Sequence, residues 1–125
     1  MAKRIQVIIN PAAGQPQPVL HTLNQDFREA GVTWDVSITQ EAGDGTRLAR
    51  QALDQGADVV VACGGDGTVM EVANGLVGSD VPLGILDLQR GRILLLTAVN
   101  HTEKDRRGSE VPRLSLNGLI SRLAY

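Results

Sequence analysis

The chain has 125 residues and a formal net charge of −2, enough for one domain with a core and too few for two full ones. Hydrophobic residues make up 42% and aromatics 2%, so the chain is globular and its core must come from Val, Leu, Ile and Ala. This balance gives no general attraction to DNA or anionic membrane, and few rings on which to stack bases, which argues against a nucleic-acid partner. The lone Cys63 excludes an intramolecular disulfide and any Cys-based metal cluster, and leaves a buried thiol at a strand end as the expectation.

The basic start Met1–Arg4 leads into Ile5, Val7, Ile8 and Ile9, broken by Gln6. That run is too short for a signal peptide or a transmembrane segment, so a cytoplasmic location is the default expectation. Ile5–Ile9 reads as a first strand, stopped by Asn10-Pro11-Ala12-Ala13-Gly14. From Val19 to Ala30 the apolar positions Val19, Leu20, Leu23, Phe27 and Ala30 form one helical stripe, with His21 off it in solvent and Gly31 as the stop. Val32, Trp34, Val36 and Ile38 alternate with polar residues, the pattern of a second strand with one buried face.

The four letters Gly-Asp-Gly-Thr then occur twice, at 43–46 and 65–68. The first copy follows a polar stretch, and Asp44 or Thr46 suits an N-cap for a helix over 47–55 with Leu48, Ala49, Ala52 and Leu53 inward and Gly56 as its end. The second abuts the apolar run 57–62, carries the extra Gly64, and precedes a helical pattern from Val69. A strand, a glycine turn around one carboxylate and a helix start can hold phosphate: glycines allow close approach and φ > 0, and the helix offers free N–H groups. A bare Gly-Gly would be only a tight turn; the longer pattern favours the second copy as the phosphate loop. Residues 81–86 read as a fourth strand with Pro82 near its start. The alternation predicts an α/β fold: a three-layer domain with a mostly parallel sheet, helices on both faces, and the loops at 10–14, 39–44 and 63–68 on one rim.

Asn10-Pro11-x-x-Gly14, Gly64-Gly65-Asp66-Gly67-Thr68-x-x-Glu71-Val72-x-Asn74-Gly75 and Pro82-Leu83-Gly84 resemble, in order and spacing, the catalytic domain of the diacylglycerol/sphingosine kinase family in its bacterial soluble form. The Gly-Gly-Asp-Gly-Thr core is also shared with NAD kinases, while the flanking residues favour lipid kinases. The resemblance covers roughly residues 3–86 and implies an ATP-binding domain that, with Mg²⁺, passes the γ-phosphate to a lipid hydroxyl. It implies nucleotide contacts from Asn10, Pro11, Ala12, Ala13, Gly14, Thr39, Gly64, Gly65, Asp66, Gly67, Thr68, Val69 and Met70, with Asp66 nearest the reacting centre. The protein ligands of the metal stay open.

After Leu86 the family's Gly-Thr-x-Asn segment is absent from the sequence. The resemblance also implies a β-rich second domain, supplying the catalytic base and much of the lipid site, for which there is no room. Residues 1–86 are thus expected to form the nucleotide-binding domain and 87–125 an atypical tail. That tail is either a truncated or frame-shifted continuation or a variable surface segment. Within it 93–99 reads as strand or helix, 101–113 as an exposed loop, and 114–125 is undecided by periodicity. A chain of this kind is expected to be weakly active or inactive alone, and to self-associate through apolar surface. An NAD kinase-like fragment and a non-catalytic nucleotide-binding module are the alternatives.

Overall fold

The computed structural model describes residues 4–11, 19–87, 92–96, 102–104, 106–108 and 110–112. Strands β1 (Arg4–Ile9), β2 (Thr33–Ile38), β3 (Val59–Cys63), β4 (Leu83–Asp87) and β5 (Arg92–Leu96) form one sheet in the order β2-β1-β3-β4-β5. The first four run parallel and β5 is antiparallel to β4. Three helices intervene: α1 (Val19–Ala30), α2 (Asp44–Asp54) and α3 (Asp66–Leu76). The run at 93–99 therefore contributes a strand to the main sheet. Inside the expected loop at 101–113, β6 (Thr102–Lys104) and β7 (Glu110–Pro112) pair as a separate two-stranded sheet. Residues 114–125 lie outside the described residues.

Side-chain alternation along the strands divides the core between two faces. Ile5 and Val7 of β1 with Val59, Val61 and Cys63 of β3 meet Leu23 and Phe27 of α1. Ile8, Val60, Ala62 and Leu83 point the other way, onto Ala49 and Ala52 of α2 and Val69, Val72, Ala73 and Leu76 of α3. Helices thus cover both faces, as the alternation of elements predicts. All five residues of β3 are buried, which is why that strand reads as an unbroken apolar run.

Two helix ends use the same device. Beyond α1, Gly31 (φ 69°) donates its N–H to Arg28 and Val32 donates to Phe27. Beyond α2, Gly56 (φ 81°) donates to Leu53 and Ala57 to Ala52. Both are Schellman turns, in which a left-handed residue after the helix satisfies its last carbonyls.

Three expectations need correction. Ile38 is 56% exposed: it ends β2, an edge strand, and the core cluster that Val32, Trp34 and Val36 pack against does not include it. α2 begins at Asp44 and α3 at Asp66, three residues before the starts read from apolar spacing. In both copies the leading glycine is the N-cap and Asp-Gly-Thr is the helix's first turn, not a preceding loop. Neither Asp44 nor Thr46 caps α2: Gly43 (φ 90°) holds the N-cap position and supplies no side-chain cap.

Candidate functional site

The register of β1 sets the site. Ile9 pairs with Ile38 on one side and Cys63 on the other, so Asn10, Thr39 and Gly64 leave the sheet level with one another at its carboxyl edge. Backbone bonds extend the ladder one step further: Asn10 N–H donates to the Cys63 carbonyl (2.9 Å) and Thr39 N–H to the Ile9 carbonyl (2.9 Å). From β1 the chain turns to α1 on one face; from β3 it turns to α3 on the other. The strand order reverses between β1 and β3, and in open α/β sheets a crevice opens at that switch point. Asn10 and Gly64 are its two lips.

On the β3 lip the chain passes Gly64 and Gly65 and enters α3 at Asp66. The Asn10 amide Nδ2 donates to Thr68 Oγ1 at 3.1 Å, stitching the lips together. Thr68 is buried, and its side chain lies over Gly64: a Cβ built on Gly64 would stand 2.7 Å from Thr68 Oγ1 and 2.9 Å from its Cβ. Gly64 therefore answers an internal packing demand. Gly65 and Gly67 do not, since a Cβ at either would meet nothing within 4 Å. None of the three has positive φ, so in this turn glycine serves space and not a left-handed backbone.

The N-terminus of α3 has no side-chain cap. The amides of its first turn have no intrahelical acceptor, and the aligned peptide dipoles add partial positive charge where Gly65 and Gly67 open to solvent. Val69 is the first residue whose N–H is used, donating to the Gly65 carbonyl at 3.1 Å, and its side chain enters the core. Met70 is half-buried one residue on. Asp66 projects from the first turn, exposed, while Thr39 is half-buried and Pro11 exposed on the same rim. Ala12, Ala13 and Gly14 lie outside the described residues. Cys63 is buried beneath the rim on the α1 side, and burial pushes its thiol pKa up, which makes it inert. Among the described residues no group of three or more His, Cys, Asp or Glu is arranged to hold a metal.

The first Gly-Asp-Gly-Thr copy stands at the same rim and opens α2 in the same frame, also without a side-chain cap, yet its carboxylate and its glycines are engaged by the protein itself. The Asp44 carboxylate accepts the Gln40 and Glu41 N–H groups at 2.8 and 3.1 Å, with Arg47 3.4 Å away. Those backbone donors, and then Arg47, hold its pKa below the ordinary value. Gly45 is packed against α3, where a Cβ would be 2.8 Å from the Glu71 Cβ. Glu71 itself accepts the Gly43 N–H on Oε1 (2.6 Å), and its carbonyl accepts the Thr46 hydroxyl (2.7 Å). One copy is closed and the other open.

Glu71 and Gly75 belong to the motif that carries the resemblance, but their part, with Gly45, in joining α2 to α3 does not show in it. Their signal is spacing: Gly45, Ala49 and Ala52 form a small-residue face on α2, and Glu71 and Gly75 share one face of α3. A Cβ on Gly75 would lie 2.6 Å from the Thr46 carbonyl oxygen, so the helices cross almost backbone to backbone there.

Comparison with known proteins agrees with this geometry. The family model described as "Diacylglycerol kinase catalytic domain" matches residues 4–88. The diacylglycerol kinase of Bacillus subtilis is 39% identical over 80 residues, which are 62% of this chain and 26% of that protein. The "Probable lipid kinase YegS-like" of Klebsiella pneumoniae is 39% identical over 84 residues, 66% of this chain and 28% of that one. A crystal structure of a diacylglycerol kinase from Bacillus anthracis superposes with a TM-score of 0.52 at 31% identity, over 66% of this chain and 29% of that one. The match thus spans little more than a quarter of these relatives' length. Among the described residues no helix is long and apolar enough to cross a membrane.

Proposed function

This chain belongs to the diacylglycerol kinase catalytic-domain family, and from that footing we propose that it binds the phosphates of ATP in the cup formed by Gly64–Thr68 at the start of α3. The observation that carries this is the pair Gly65 and Gly67. No neighbour in the fold requires the missing side chains, and both flank an uncapped helix N-terminus at the switch point of the sheet. Free amides and the helix dipole suit a bound anion. Asn10 and Thr68 fix the lips, Pro11 and Met70 follow them in the chain, and Thr39 stands two strands along the same rim. The proposed nucleotide-binding unit is residues 1–86, its sheet continued by the end of β4 and by β5, in a cytoplasmic setting.

The reaction proposed is transfer of the ATP γ-phosphate to a lipid hydroxyl such as that of diacylglycerol, an assignment taken from the relatives and not from the cup. Phosphoryl transfer asks mainly for positioning and neutralised charge. The cup supplies both for the phosphates. Mg²⁺, which is usually held by phosphate oxygens and one or two carboxylates, fits beside Asp66, the exposed carboxylate of the first turn. It would also screen Asp66 from the phosphates, so ATP should bind better with Mg²⁺ than without.

The test is thermal melting of the 125-residue chain against ATP with and without Mg²⁺, for wild type and Gly65→Val. At one hundred times Kd a ligand adds about 2.7 kcal/mol, or about 10 °C for a domain of this size. A Cβ at Gly65 meets nothing within 4 Å, so in Gly65→Val the shift should vanish while the unliganded fold persists. An undiminished shift in Gly65→Val, or none in wild type, would remove the cup from the proposal. Stabilisation without lipid phosphorylation would leave a nucleotide-binding module.

A further inference from the structure

Glu71 stands outside the phosphate cup, on the second turn of α3, and makes contacts that a surface glutamate on a helix has no need of. Its carboxylate accepts the Gly43 N–H at 2.6 Å, and its carbonyl accepts the Thr46 hydroxyl at 2.7 Å. Its Cβ sits against Gly45, where any side chain would collide. Gly43 is the last residue of the segment that leaves β2 and enters α2. That segment is otherwise held through Asp44, which takes the Gln40 and Glu41 amides, and at its root by Thr39 N–H on the Ile9 carbonyl. Glu71 is thus a strap between the helix that carries the cup and the segment 39–43.

What the segment is placed to do follows from the sheet. β2 lies two strands from β3, with β1 between. Neighbouring strands stand about 4.8 Å apart, so Thr39 is about 10 Å from Gly64 along the rim. That is too far to touch a phosphate seated on the first turn of α3, and within reach of the nucleoside attached to it. Resting on the nucleotide assignment made above, we infer that Glu71 is a positioning residue: it sets the segment 39–43 at the height where it recognises the nucleoside, without contacting the ligand itself.

The experiment compares wild type, Glu71→Gln and Glu71→Ala in binding Mg²⁺-ATP and Mg²⁺-tripolyphosphate, with amide hydrogen exchange at Gly43 as a ligand-free readout. Glutamine keeps an oxygen for the Gly43 N–H and should stay near wild type in all three. Alanine should lose protection at Gly43 and weaken ATP binding about tenfold, the worth of one hydrogen bond, while tripolyphosphate binding stays within about twofold. Equal loss for both ligands would reduce Glu71 to a structural residue and overturn the inference. So would unchanged ATP binding or unchanged Gly43 exchange in Glu71→Ala. Wild type that binds neither ligand would instead fail the nucleotide assignment, whatever Gly43 shows.

Discussion

Two glycines three residues apart should respond to the same substitution with opposite sign. In Gly64→Ala the new methyl is placed 2.7, 2.9 and 3.1 Å from three atoms of the Thr68 side chain. Thr68 is buried, β-branched and bonded to Asn10, so it cannot swing away cheaply. Overpacking of this kind costs about 1–3 kcal/mol, and breaking the Asn10–Thr68 bond adds about 0.5–1.5 kcal/mol. The lower entropy of the unfolded alanine chain returns about 0.4–1 kcal/mol, leaving a net loss of about 1–3 kcal/mol. In Gly67→Ala the methyl meets nothing within 4 Å, and a helical position gains about 0.5–1 kcal/mol. The assay is urea unfolding followed by circular dichroism. With m of about 2 kcal/mol/M, the midpoints of the two variants should stand about 1–2 M apart at unchanged slope. A Gly64→Ala chain as stable as wild type, or a Gly67→Ala chain less stable than it, would refute the packing argument. Gly67→Ala should also lose ATP-dependent stabilisation while being the more stable fold, which separates a ligand's demand for glycine from the protein's own.

Gly75→Ala puts a Cβ 2.6 Å from the Thr46 carbonyl oxygen and 2.7 Å from the Ala49 Cβ, so α2 and α3 must separate; a loss of about 2–3 kcal/mol should lower Tm by 8 °C or more in calorimetry. Phe27→Ala should cost about 3–5 kcal/mol and shift Trp34 fluorescence to the red, since the two rings stand 5.4 Å apart and Phe27 is fully buried. Asp44 has a folded pKa below its ordinary 3.8, so its contribution is fully present above that value and is lost as pH falls through the lower folded one. Acid titration of Asp44→Asn should accordingly show lower stability at pH 7 and a shallower fall below pH 4; parallel wild-type and mutant curves would count against the Asp44 contacts.

The fold was legible where the apolar pattern is strong. β3 is buried on both faces, α1 carries its stripe from Leu23 to Phe27, and Gly31 and Gly56 mark their helix ends by a conformation other residues avoid. Helix starts were not, because Asp44-Gly45-Thr46 and Asp66-Gly67-Thr68 have poor helix propensity and read as loop, while the free energy that makes them helical comes from α2–α3 packing. The same ambiguity hid the difference between the two copies. Identical letters give one turn that closes on Glu71 and one that opens to solvent, and only the neighbours distinguish them. Ile38 misleads for a related reason: alternation reports a face, and an edge strand does not bury the whole of it.

The most direct measurement is the response of backbone amide resonances to Mg²⁺-ATP, read at the two copies together. Asp66, Gly67 and Thr68 should shift strongly and saturably, while Asp44, Gly45 and Thr46, where Gly45 is packed against Glu71 and the Asp44 carboxylate is already bonded, should move little. Shifts centred on 44–46, or none at either copy, would contradict the assignment of the phosphate site to the start of α3.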